Sequence, residues 1–229
     1  MYDYINPIDA PYYAVGDFNF STLTGTADNA AIQAAMNAAV AQGKILRITR
    51  VHRLAQTNVA GAQGAAGDIR IPEGLIMVCD PGCGFAYDSY ILPAFWKQGT
   101  GRYWAWYLSI YFFGTIPSTV TPPYTLYNTA YSNFSNNLTG RSSIPTTVCE
   151  TFGGYDAPGT ALFLLGGDIR LYRPRFISLV AEGTALESRK YIPCCIFLLD
   201  AADGTPPTGG IYDAEFDGYH MGIAGTKSA

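Results

Sequence analysis

Residues 26–54, TADNAAIQAAMNAAVAQGKILRITRVHRL, constrain the fold most. They read as one amphipathic helix followed at once by an extended strand. Ile32, Ala35, Met36, Ala39 and Val40 recur at helical spacing and form one apolar stripe. Thr26 is placed to cap the helix N-terminus, and Asp28 falls in the first turn, where the helix dipole favours a carboxylate. Gly43 follows the last helical position and can take the left-handed conformation that ends a helix. The stripe is mostly alanine, so the helix must lie close against something flat. A lid over one end of a stack of β-strands meets that demand. In the strand that follows, Leu46 and Ile48 fall on one face, with Ile45, Arg47 and Thr49 on the other.

The order of short motifs here resembles the opening of the pectate-lyase-like right-handed β-helix superfamily, in the branch common among bacteriophage tailspikes. The matching elements are Gly16-Asp17, Thr24-Gly25-Thr26, Asp28-Asn29, Ala30-Ala31-Ile32-Gln33, Gly43 and the strand 44–48. A second run, IRIPEGLIMVCDPG at 69–82, is similar to the strand, Pro-x-Gly turn and strand that begin the coils. Two departures stand out. Thr49-Arg50-Val51 replaces the usual Pro-Ala-Gly-like turn, and the Asn-Thr-Asp, Asp-Asp and Gly-His-Gly motifs of the polygalacturonase branch are absent. The resemblance implies an all-β fold, a single-stranded right-handed parallel β-helix with an N-terminal capping α-helix. It also implies a homotrimeric virion component that recognises host cell-surface polysaccharide. Whether it cleaves the glycan, as hydrolase or lyase, stays open.

Charged residues make up 14% of the chain, against about 25% in a typical soluble domain. Tyrosine occurs 17 times. Such a surface suits stable assembly with other chains or contact with sugars. A net charge of −4, with basic residues scattered, gives no footprint for nucleic acid. Five cysteines, at 79, 83, 149, 194 and 195, include an adjacent pair whose disulfide geometry is awkward. They read as free thiols from a reducing cytoplasm. Cys79-x-x-x-Cys83 lacks a second ligand pair, so no metal and no cofactor is expected. Met1-Tyr2-Asp3-Tyr4 does not open a signal peptide, and no run is long enough to span a membrane. Assembly in a bacterial host cytoplasm into a phage tail fits these features.

Residues 1–15 have no period but are too apolar for a solvated tail. They read as a virion-docking arm toward a tail, baseplate or adaptor protein, with Tyr2, Tyr4, Tyr12 and Tyr13 as contacts. Residues 16–229 read as the β-helix domain; with no second cap in view, they are expected to be the front part of a longer β-helix or to have their open edge covered by neighbouring chains. His52, between Arg50 and Arg53, reads as a solvated or satisfied histidine. Residues 55–67 and 201–210 read as loops. An aromatic-rich insertion or lateral hairpin is expected at about 85–135. There a local core or subunit contact is the plainest reading; Trp96, Trp104, Trp106 and Tyr103 could instead stack on pyranose faces, and a membrane-surface segment is the third reading.

For catalysis the candidates are Asp213, Glu215 and Asp217. Alternation along one strand places all three on one side, with neighbouring carboxylates about 6.5–7 Å apart. That is near the lower edge of the separation used by inverting glycosidases. Tyr219 and His220 could instead serve a lyase. A solvated acidic face is the alternative. A freestanding polysaccharide hydrolase or lyase and a purely structural tail module are the two competing functions.

Overall fold

A computed structural model describes residues 3–55, 69–88, 94–97, 99–114, 161–179, 194–199, 204–218 and 221–225. Among them lie one helix, α1 (Asn29–Ala41), and fifteen strands, all paired in parallel.

The strands form three sheets. The first holds β1 (Tyr4–Ile5), β2 (Ile45–Ile48), β4 (Leu75–Cys79), β7 (Tyr103–Trp106), β10 (Gly167–Tyr172) and β13 (Pro207–Tyr212), in that order. The second runs β3 (Val51–Leu54), β5 (Gly84–Tyr87), β8 (Ser109–Phe112), β11 (Arg175–Ser178) and β14 (Glu215–Asp217). The third runs β6 (Phe95–Lys97), β9 (Leu162–Leu165), β12 (Cys194–Leu199) and β15 (Met221–Gly225). From β4 onward the chain visits the sheets in the same cycle, one strand in each. Every strand therefore pairs with its counterpart in the next cycle.

Alternation along each strand turns one set of side chains inward, and the parallel register stacks that set into columns. Leu46, Met77, Ala105, Leu171 and Ile211 form the column of sheet one. His52, Phe85, Ile110, Phe176 and Phe216 form that of sheet two, and Phe95, Leu162, Ile196 and Ile223 that of sheet three. All but the final members are buried. Phe216 is 38% and Ile223 49% exposed, so the core is open where the last described strands end.

Helix α1 buries Ile32, Ala35, Met36 and Ala39, as the sequence pattern requires, and packs on β1, β2 and β4. Its alanines permit that close approach. Gly43, at φ 63°, ends it in a Schellman arrangement: Gly43 N–H donates to Val40 O and Lys44 N–H to Ala39 O. The start differs from expectation. Asp28, not Thr26, is the cap residue, and its side chain makes no capping bond. Thr26 instead donates through its amide and hydroxyl to Asp17, at 2.7 and 2.8 Å.

Asp28 joins three elements. Its buried carboxylate accepts from the Val15 and Gly16 amides, both at 2.8 Å, and meets His52 Nδ1 at 2.7 Å. His52 is completely buried, not solvated. Burial alone would push the Asp28 carboxyl up. The bonds from His52, Val15 and Gly16 outweigh it and hold the group below its ordinary value.

The N-terminal segment packs on its own chain. Tyr4 and Ile5 extend sheet one by pairing with β2, and Ile5 and Ala14 are buried. The aromatic run also departs from expectation. Phe95–Lys97, Tyr103–Trp106 and Ser109–Phe112 are ordinary members of the three sheets, the first parallel to β9 at the edge of its sheet and the other two parallel to both neighbours, whereas a hairpin would pair antiparallel. Residues 89–93, 98 and 115–135 of that expected insertion lie outside the described residues. Pro207 to Gly210, read as loop, begin β13. Gly209 is required there: at φ 100°, an added Cβ would sit 2.1 Å from Ile169 O on the neighbouring strand.

Candidate functional site: the corner between sheets one and two

Between sheets one and two the chain turns in the same way three times. Trp106, Tyr172 and Tyr212 end the strands of sheet one. Tyr107, Arg173 and Asp213 follow, with φ of 57°, 52° and 53°. Leu108, Pro174 and Ala214 come next, and Ser109, Arg175 and Glu215 open the strands of sheet two. Backbone bonds lock the turns together: Tyr107 N–H to Tyr172 O, Arg173 N–H to Tyr212 O, Arg175 N–H to Leu108 O, and Glu215 N–H to Pro174 O. Three non-glycine residues in the left-handed region cost about 1–2 kcal/mol each relative to relaxed backbone. The corner accepts that cost while carrying side chains outward.

These turns line a groove of about 480 Å³, together with Pro81 and Gly82 from the turn between β4 and β5. The Tyr111 hydroxyl donates to Gly82 O at 2.9 Å and fixes that end. Two side-chain columns run through the groove. In the first, the Arg173 guanidinium sits 6.0 Å from the Tyr107 ring centroid and 3.6 Å from Asp213. In the second, Arg175 makes two bonds to Glu215, of 2.7 and 3.1 Å. The Arg175 bonds hold the Glu215 carboxyl below its ordinary range, so it is ionised at neutral pH.

Beside the groove, on the outer face of sheet one, Trp106, Tyr172 and Tyr212 stack ring on ring. The centroids are 5.1 and 4.9 Å apart and the planes 14° and 11° from parallel. Trp104 lies next to them. Arg102 and Arg170 approach its ring at 5.3 and 4.9 Å, and its indole N–H donates to Asp168 at 3.0 Å. Arg170 pairs with the same carboxylate at 2.9 Å and, ahead of Trp104, keeps it below its ordinary range.

The catalytic arrangement expected at 213–217 is not formed. Asp213 is a corner residue, Glu215 and Asp217 belong to a strand of another sheet, and no single strand carries all three. Glu215, ionised and tied to Arg175, has no proton to give a leaving group. Asp217 is exposed and does not line the groove. Among the expected sugar-stacking residues, Tyr103 points into the core at 1% exposure. Trp104 and Trp106 do face outward, but one face of Trp106 is covered by Tyr172, so an open platform is replaced by a ladder of ring edges. The Trp96 side chain lies outside the described residues, as do Tyr2, Tyr219 and His220. Of the expected docking residues, Tyr4 and Tyr13 are exposed, at 47% and 69%, and Tyr12 packs against the core.

Tyr107, Arg173, Arg175, Tyr172 and Tyr212 were not among the expected site residues. The signal for them is a spaced repeat: WYLSI at 106–110, YRPRF at 172–176 and YDAEF at 212–216. Among the described residues, no group of three or more His, Cys, Asp or Glu could hold a metal ion. No helix among them is long and apolar enough to cross a membrane. Comparison with known family models, curated proteins and solved structures returned no match.

Proposed function

We propose that the three sheets are the walls of a right-handed parallel β-helix. We propose further that the chain is a subunit of a phage tailspike or tail fibre that recognises host cell-surface polysaccharide. One observation carries this reading. The corner turn recurs at one strand spacing of about 4.8 Å, with Trp106, Tyr172 and Tyr212 stacked beside it and Tyr107, Arg173, Asp213, Arg175 and Glu215 carried outward along that line. A surface periodic along one line fits a ligand periodic along one line, and the mix of ring and paired polar groups fits sugars. The motifs of residues 16–54 agree with the same assignment.

The groove favours binding over cleavage, because each of its carboxylates faces an arginine and Glu215 is held ionised by Arg175. Light scattering on the purified chain should return a trimer mass. Labelled chain should bind whole cells from a panel of capsulated and smooth bacteria, and lose that binding when capsule or O-polysaccharide is stripped. Binding unaffected by stripping would refute the glycan reading. A monomer would remove the tailspike assembly.

A further inference from the structure

The ion pairs of the corner bear on the class of glycan, an inference that rests on the polysaccharide-binding reading above. We propose that the groove takes an uncharged, hydroxyl-rich stretch of glycan lying along the direction of strand stacking. A chain bearing uronate, sialate or phosphate groups is disfavoured.

The charges lining the groove are Arg173, Arg175, Asp213 and Glu215, and they sum to zero. Each arginine already faces a carboxylate. An anionic sugar reaching Arg175 would have to displace Glu215 from two bonds, then sit beside that displaced carboxylate and repel it. A vicinal diol meets no such obstacle. A hydroxyl donates to a carboxylate and accepts from a guanidinium, so an intact Arg–carboxylate pair satisfies both functions of a sugar hydroxyl at once. Arg173 is the adaptable member. Its contact with Asp213 is long, at 3.6 Å, and both side chains are mostly exposed. The Tyr107 ring beneath it offers an apolar surface to sugar C–H groups. Arg170 and Asp168 on the neighbouring ladder repeat the paired design.

Affinity electrophoresis of the full chain tests this, in gels cast with neutral mannan, neutral galactan, neutral O-polysaccharide, hyaluronan, polysialic acid or teichoic acid. Retardation is expected in a neutral gel, changing less than about twofold between 50 and 200 mM salt because no net charge is neutralised. Arg173→Gly and Tyr107→Gly should each weaken it about tenfold, the loss of roughly one charge-assisted bond or one ring contact. Glycine is at ease in the left-handed region, so neither variant should lower the melting temperature. Retardation only in acidic gels, with steep weakening by salt, would overturn the neutral-glycan proposal while leaving polysaccharide binding intact. Retardation in none of the gels, or retardation unchanged in both variants, would overturn this assignment of the groove. Cell binding that survives stripping, as above, is the separate result that removes the polysaccharide reading itself.

Discussion

Replacing Asp28 by alanine tests the junction on which the start of the stack depends. The change deprives two backbone amides and one imidazole nitrogen of their acceptor. A buried donor left unsatisfied costs about 1–3 kcal/mol. Here the amides are part-buried and can recruit water, while His52 is fully buried and its Nε2 has no hydrogen-bond partner among the described residues. A loss of about 2–4 kcal/mol follows, a large share of the ~5–15 kcal/mol that holds most domains together. Urea denaturation followed by tryptophan fluorescence should show a lower midpoint at unchanged slope. Asp28→Asn keeps one oxygen acceptor and should lose roughly half as much. The pH dependence has a definite sign. The folded carboxyl lies below the ordinary 3.8, so its contribution is complete above that value and is lost as pH falls through the depressed folded value. The gap between Asp28→Asn and the parent should therefore close as the pH falls below the ordinary carboxyl value. An Asp28→Ala protein within about 0.5 kcal/mol of the parent would refute this account of the junction.

Phe176 is fully buried and stacks at 5.5 Å on Phe216, so Phe176→Ala should cost about 3–5 kcal/mol in the same denaturation assay. Lys97 is completely buried and donates to Gly99 O and Gly166 O at 2.6 and 3.1 Å. Burial lowers its pKa, against a smaller opposing pull from Glu73. The unfolded chain then binds more protons between the depressed value and 10.5, so parent stability gains from this residue as pH rises through that window. Lys97→Met should lack that gain when the two proteins are compared from pH 7 to pH 10. Glu215→Gln removes the charge facing Arg175. It should admit acidic polysaccharide to the groove, read as new retardation in hyaluronan gels.

The helix and the first strands were legible because their signals are local. An alanine-rich stripe at helical spacing, a glycine after the last turn, and Leu46 and Ile48 two apart leave few alternatives. The corner was not legible, because the decisive fact is non-local. Reading 211–217 as one strand put Asp213 and Glu215 on a common face, but the left-handed conformation of Asp213 bends the chain into the next sheet. No residue type announces that bend: tyrosine, arginine and aspartate all occupy it. Gly209-Gly210 misled in the opposite sense. Their turn-like composition reflects close approach of the neighbouring strand, not a loop. Tyr103 and Trp104 differ in fate only through alternation, which the surrounding aromatics concealed.

The groove and the core columns both depend on strands that pair in parallel with their counterparts in the next cycle. Nuclear Overhauser contacts in isotope-labelled protein test that pairing most directly. Along sheet two, Ile110, Phe176 and Phe216 should be linked in sequence, 110 to 176 and 176 to 216, by backbone amide contacts between strands. Close Hα–Hα pairs between these strands, the mark of antiparallel pairing, would contradict it, and the corner groove would lose its columns.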